Sequence, residues 1–281
     1  MTMQSLESTV SDRDNWSSHW SAYAESVREN PAQRMRHKLL LNQIRSEGGE
    51  IALLIDIGSG QGDFLATVVQ SGGVRRCVGF ELSEIGVSIS RAKVPTATFH
   101  QVDLFAPSAE AARLENQADV VVCSEVIEHV DDSVGFCRLM ETYLKPGGRL
   151  LVTVPGGPMS TFDHYIGHRL HYDRASITRV LDAAGFKVEA VELAGFPFFN
   201  LYRIVVILLG KRLISSAKRS GAGTLASLVM ALFRTLFRFN LRNSVFGWQV
   251  LAVARRPPGD VMQGGGNRVA AGQEVGATGA V

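Results

Sequence analysis

Leu53-Leu-Ile-Asp-Ile-Gly-Ser-Gly-Gln-Gly62 is an apolar run that ends in one acid and then sets three glycines at alternate positions, and the helical pattern Phe64 to Val69 follows. Glycine lets a chain leaving a strand turn tightly, and it lets the backbone approach a ligand with no Cβ in the way. Taken by itself the loop is a weak sign, because short glycine patterns also make ordinary strand-to-helix turns. Its surroundings decide the reading. Short apolar runs recur at Ile51 to Ile57, Arg76 to Phe80, Ala97 to Val102, Val120 to Cys123, Arg149 to Val154, Val188 to Leu193 and Gln249 to Ala254, with helix-length segments between them. That alternation predicts an α/β fold around a mostly parallel sheet of seven strands. Lys145-Pro-Gly-Gly148 stops a helix before the fifth run, and Gly185 caps the helix before the sixth. The last two runs make a hairpin-like pair.

Glu81 ends the second run, Val78-Gly-Phe-Glu81, and Asp103 ends the third. In a Rossmann-like fold an acid at the end of the second strand meets the two hydroxyls of a ribose, and Asp103 falls near the place of a base. The combined pattern resembles the class I S-adenosylmethionine-dependent methyltransferases over roughly Leu53 to Gly195, with Gly185-Phe186 matching that family's late helix-to-strand turn. The resemblance implies a Rossmann-like seven-stranded methyltransferase sheet that binds S-adenosylmethionine. It also implies that Asp56, Gly58, Gly60 and Gly62 shape the methionine end of the cofactor site, that Glu81 holds the ribose, and that Asp103 contacts the adenine amine. The Gly-x-Gly-x-Gly spacing differs from the Gly-x-Gly-x-x-Gly of nicotinamide dehydrogenases, and S-adenosylmethionine has no phosphate for a helix N-terminus to bind.

Val120-Val-Val-Cys-Ser-Glu-Val-Ile-Glu-His129 ends the fourth strand at the carboxyl edge of the sheet, where α/β folds place their ligands. If the chain coils helically there, Glu125, Glu128 and His129 lie at i, i+3 and i+4 and point the same way. Two carboxylates and an imidazole on one face suit a divalent cation such as Mg²⁺. The Glu-x-x-Glu-His pattern is similar to that of ubiquinone-biosynthesis O-methyltransferases and of RNA 3′-terminal 2′-O-methyltransferases, and the resemblance implies a metal at these positions that a later histidine completes. His168 is the first choice for that ligand, His171 the second, and His164 is the third histidine of the cluster. The bland reading is a metal-free enzyme in which the histidine is a strut or general base. The expected catalytic groups are His129, Glu125 and His168, and the expected reaction is methylation of a hydroxyl on a small or lipid-like metabolite. Two alternatives stand beside it: RNA 2′-O-methylation, and a non-catalytic S-adenosylmethionine-binding partner protein.

The 281 residues carry a formal net charge of +2, a balance that does not call for nucleic acid. Leu193 to Gly259 nevertheless holds ten Lys and Arg residues and no Asp or Glu. Within it, 196–246 is far longer than a hairpin needs and reads as a basic, apolar helical insertion before the last strand. Neither of its apolar segments reaches membrane-span length; a cap over the site, a dimer face and a peripheral membrane contact are the readings left open. Residues 16–50 hold apolar side chains at helical spacing and read as an N-terminal helical lid. The expected domain is 16–256, flanked by disordered tails at 1–15 and 257–281 that are poor in large apolar groups. The three cysteines make no CxxC pair and the N-terminus lacks a signal-peptide core, so a cytoplasmic location is expected.

Overall fold

Each of the seven apolar runs forms a strand: β1 (Ile51–Ile57), β2 (Val74–Glu81), β3 (Thr98–Gln101), β4 (Ala118–Ser124), β5 (Leu144–Pro155), β6 (Lys187–Ala194) and β7 (Gln249–Arg255). The structure is a computed structural model, and it describes residues 30–46, 48–217 and 224–258. The strands form one sheet in the order β3-β2-β1-β4-β5-β7-β6. Pairs from β3 to β5 are parallel, and β7 runs antiparallel to both β5 and β6. Strand order reverses between β1 and β4, which opens a crevice at the carboxyl ends of the parallel strands. Because β7 runs the other way, its first residue, Gln249, pairs with Pro155 at that same edge.

Helices cover both faces, so each strand alternates between two cores and reads as nearly continuous apolar sequence. Leu53, Ile55 and Ile57 join one core with Val121, Val152 and Ala252, under α5 (Ser133–Tyr143) and α7 (Arg174–Ala183). Leu54 joins the other with Val120, Val122, Leu151 and Leu251, under α1 (Pro31–Ser46), α2 (Asp63–Ser71) and α3 (Glu84–Lys93). Helix α4 (Ala109–Ala112) is a single turn whose Ala111 joins the first core. α5 stops where the proline-glycine turn lies, but the fifth strand starts at once, at Leu144 rather than Arg149, and absorbs the turn through a register shift between Ala118 and Val120.

After β5 come the short α6 (Thr161–Tyr165), then α7 and β6, and then the insertion, which is helical: α8 (Phe198–Ala217), α9 (Thr224–Leu236) and a 3-10 turn at Phe237–Phe239. Ala32 of α1, Phe199 and Tyr202 of α8 and Phe233 of α9 form a third, smaller core. The insertion therefore packs on the N-terminal helix, and its last loop bonds to the edge strand β6 through Ser244, Asn243 and Arg242. Among the described residues no helix is long and apolar enough to cross a membrane. Residues 16–29 of the expected lid, the 1–15 tail, and all of the 257–281 tail beyond Pro258 lie outside the described residues.

Candidate active site

The glycine loop leaves β1 and is fixed at once: the Gly58 and Ser59 amides both donate to the Phe80 carbonyl, at 2.8 and 3.0 Å. Gly58 sits at φ +73°, and a Cβ there would overlap the Val126 side chain, so only glycine fits. Glu81 is buried, and its carboxylate accepts from the Gly60 amide and the Ser83 amide, both at 2.9 Å. It thereby ties the loop to the start of α3. Burial, then the Glu81 charge, pushes the Asp56 carboxyl well above the usual carboxylate range. Ser59 Oγ and Gln61 Nε2 are buried without a hydrogen-bond partner among the described residues. Asp103 lies two residues past β3, exposed, where its carboxylate accepts from the Phe105 amide at 2.9 Å. Phe105 stacks on Phe136 at 5.8 Å between ring centroids.

The chain after β4 does not coil as the spacing suggested. Glu125 takes φ +58°, and a 3-10 turn spans Ile127–His129. A left-handed residue breaks helical periodicity, so the expected common face of Glu125, Glu128 and His129 does not form. Glu125 turns instead to Gln249, whose amide donates to it at 2.9 Å, and to Arg36 at 3.6 Å. Glu128 and His129 meet His168: one ligand atom from each of the three lies within 4.8 Å of the others. The His129 and His168 rings are edge to face at 4.8 Å. Glu128 is fully buried, and neither carboxylate oxygen has a hydrogen-bond partner among the described residues. Burial, then the Glu125 charge, drives its carboxyl far above the usual range.

The histidines fix one another's tautomers. His171 Nδ1 lies 3.1 Å from the Gly157 carbonyl, which can only accept, so that nitrogen carries the hydrogen. Burial lowers the His171 pKa, and the neutral ring then offers Nε2 to His168 Nδ1, 3.1 Å away. His168 must donate from Nδ1, which leaves Nε2 with a free lone pair. Burial, then His129, holds the His168 pKa down to about 3. His164 is exposed and takes no part.

Asp163 anchors this group from beneath. It is buried, accepts from the Ser160 amide and hydroxyl at 2.8 and 2.7 Å, and pairs with Arg203 of α8 at 2.9 Å. Burial raises its carboxyl, but the Ser160 hydrogen bond and then Arg203 outweigh that and hold it below its usual range. Arg36, Asp163, Arg203 and Gln249 escape sequence reasoning. Of these, only Asp163 had a visible signal, since it opens the histidine cluster.

One cavity of about 830 Å³ joins the glycine loop to Glu128, His129 and His168. It runs from Asp103 and Phe105, past Gly58, Gly60 and Glu81, to Glu128, His129 and His168. Arg36 and His37 of α1 and Phe199, Tyr202 and Arg203 of α8 wall it on the other side. A family model described as a methyltransferase domain matches residues 23–191. The chain belongs to that methyltransferase family. Its sheet order, glycine loop and terminal acids are those of the class I S-adenosylmethionine-dependent fold.

This methyltransferase domain is 29% identical, over 168 residues, to a probable S-adenosylmethionine-dependent methyltransferase of Mycolicibacterium smegmatis, covering 55% of this chain and 59% of the relative. It is 33% identical, over 99 residues, to the ubiquinone biosynthesis O-methyltransferase of Stutzerimonas stutzeri, covering 34% of this chain and 41% of the relative. The chain thus spans less than two thirds of the length of either. Among solved structures it is similar to phosphoethanolamine N-methyltransferase 2 of Haemonchus contortus with S-adenosylmethionine (TM-score 0.54, 16% identity, 79% of this chain and 52% of that one). It is also similar to the [4+2]-cyclase SpnF (TM-score 0.56, 18% identity, 80% and 81%). At such identities the likeness is one of fold, and a cyclase among the neighbours shows that the fold alone does not name a reaction.

Proposed function

We propose that the chain is an S-adenosylmethionine-dependent O-methyltransferase that modifies a hydroxyl of a small or lipid-like metabolite. The observation that carries this reading is one cavity whose lining includes both the glycine loop and His168, an imidazole kept neutral by burial. The cradle suits S-adenosylmethionine: Gly58 and Gly60 line the cavity, Glu81 presents a buried carboxylate, and Ser59 and Gln61 offer buried polar atoms with no hydrogen-bond partner among the described residues. When bound, the cofactor supplies a methyl group on a positively charged sulfur.

The chain's own part is to hold the acceptor oxygen in line with that methyl and to take its proton. His168 Nε2 is neutral, oriented and placed to accept the proton, and His129 stands against it edge to face. Arg36 and Tyr202 close the chamber on the α1 and α8 side and limit water. As an alternative to proton acceptance by His168, Glu128, His129 and His168 fit a divalent cation, since a buried carboxylate with no hydrogen-bond partner among the described residues and an imidazole lone pair are ligand chemistry; the His168 lone pair would then serve the metal, and the acceptor's proton would pass to solvent. Bound there, Mg²⁺ would supply Lewis-acid activation of the acceptor hydroxyl. Support for oxygen as the acceptor atom comes from the naming of the second relative as an O-methyltransferase.

The test is turnover with a panel of phenols, catechols and hydroxylated lipids, scoring methyl ethers by mass spectrometry, with His168→Ala beside wild type. Ether formation lost in the variant supports the reading. Methylated amines or carbons as the only products would overturn it. Full turnover after chelation would remove the cation from the account and leave the base.

A further inference from the structure

We infer that Arg169 is a positioning residue for the histidine end of the cavity: its guanidinium holds the backbone of His129 so that the His129 and His168 rings keep their edge-to-face packing. Those two rings come from different loops, His129 from the turn after β4 and His168 from the segment after β5. Something must set one loop against the other.

A helical turn ends in carbonyls that its own chain does not satisfy, and a short 3-10 turn has few bonds of its own to hold it. The Val130 amide closes the turn Ile127–His129 onto the Ile127 carbonyl at 3.2 Å, which leaves the carbonyls of Glu128 and His129 for other donors. Arg169 takes both. Its amide donates to the Glu128 carbonyl at 2.8 Å, and its guanidinium donates to the His129 carbonyl. The Tyr172 hydroxyl reaches back to the Ile127 carbonyl at 3.4 Å, so three successive carbonyls of the turn face the segment that carries His168. On its own side His168 is tied by its amide, which donates to the Asp163 carbonyl at 2.9 Å.

The Arg169 amide would make its bond whatever side chain stood at this position. One bond fixes a point and leaves the two loops free to pivot about it. The guanidinium adds a second bond one residue along, and two successive bonds remove the pivot. Its other contact is an ion pair with Asp131 at 3.0 Å, but the Asp131 side chain is 85% exposed, so water screens that pair. The charge-assisted bond to the carbonyl is therefore the one that positions. Arg169 follows His168 directly and lies beside it in the cavity wall, so an error at the carbonyl passes into the ring. A displacement of about 1 Å at a reacting group can cost about a hundredfold in rate. The inference rests on the proposed part of His168 in the reaction, and the same bonds would hold Glu128, His129 and His168 together as cation ligands.

The experiment is nuclear magnetic resonance of the histidine rings in the full chain, without substrate or cofactor, for wild type, Arg169→Met, Arg169→Lys and Asp131→Asn. Wild type is expected to show Overhauser contacts between the His129 and His168 rings, with an upfield ring proton from the edge-to-face pair. Arg169→Met should lose both signatures with its circular dichroism unchanged, whereas Arg169→Lys, which still reaches the carbonyl, and Asp131→Asn should keep them. With any acceptor that is turned over, Arg169→Met should lower kcat roughly tenfold and leave KM for S-adenosylmethionine unchanged. If Arg169→Met does not fold, Arg169→Gln, whose side chain stops short of the carbonyl, is read in its place with the same expectations. Wild-type ring signals in the folded Met or Gln variant overturn the inference, and so does loss of the signals in Asp131→Asn. Because the rings are read in the free protein, failure of the O-methylation reading would leave this result standing.

Discussion

The glycine end of the cavity and the histidine end differ in what satisfies their polar groups. At the glycine end, Glu81 accepts two backbone hydrogen bonds at 2.9 Å, and the loop amides find the Phe80 carbonyl one strand away. At the histidine end, the Glu128 carboxyl is fully buried with neither oxygen bonded among the described residues, and its neighbours are brought in from β7, α1 and α8. A buried polar group without a partner costs about 1–3 kcal/mol. The first end is therefore a shaped scaffold, and the second holds a group kept ready for something the folded chain does not provide. That difference is what a ligand would be expected to exploit.

Glu128→Gln breaks the comparison most strongly. With Glu128 as a cation ligand, turnover should fall roughly a hundredfold while cofactor affinity is unchanged, because only the histidine end loses a ligand. The same change should stabilise the fold at neutral pH. Glu128 has a folded pKa well above its unfolded 4.5, so its contribution is full below 4.5 and is lost as pH rises toward the folded value. Urea unfolding should find the variant more stable than wild type at pH 8 and nearly equal to it at pH 4. Equal stability at pH 8 would mean that Glu128 is solvated or paired after all.

His171→Phe sharpens the comparison by leaving both ends filled and removing only the hydrogen-bond partner of His168. Nitrogen-15 shifts of His168 should change from a single Nδ1–H tautomer to a mixture, and turnover should drop roughly tenfold. An unchanged tautomer would place its control elsewhere.

The smallest effect concerns His37 of α1, whose pKa is lowered to about 4 by burial and then by Arg36. Unfolded chain takes up a proton below about 6.5. Stability from this group is thus complete above 6.5 and declines as pH falls toward 4, with a slope of at most about 1.4 kcal/mol per pH unit. A His37→Gln protein should show a shallower loss in that window, measured by urea midpoints at pH 4.5, 5.5 and 6.5.

The fold was legible because a sheet covered on both faces writes itself as apolar runs. Ile51–Ile57 coincides with its strand, and the others agree to within a few residues except β5, where the chain extends straight out of the turn. The glycine loop was legible for another reason: its conformation demands glycine, whatever the distance of its partners in sequence. The histidine end was half legible. Glu128, His129 and His168 were named and do meet, but Glu125 was placed with them on the assumption of a helix that a left-handed residue prevents. Gln249 reaches the site only because β7 runs antiparallel, and Arg36 and Arg203 only because two distant helices share a small core. No local pattern carries such tertiary information. Helix α8 is the reverse case, where sequence showed an apolar, basic stretch and the fold showed which of its described residues, Phe199 and Tyr202, turn inward and which, Leu201, Ile204 and Leu208, are exposed.

The central claim is that the glycine end holds S-adenosylmethionine through Glu81, and isothermal titration tests it most directly. Wild type and Glu81→Ala would be titrated with S-adenosylmethionine and S-adenosylhomocysteine, with magnesium added and again after chelation. The account predicts saturable binding to wild type, largely independent of magnesium, and loss of that binding in the variant. A folded wild type that binds neither ligand under any of these conditions, or a Glu81→Ala protein that binds as tightly as wild type, would contradict it.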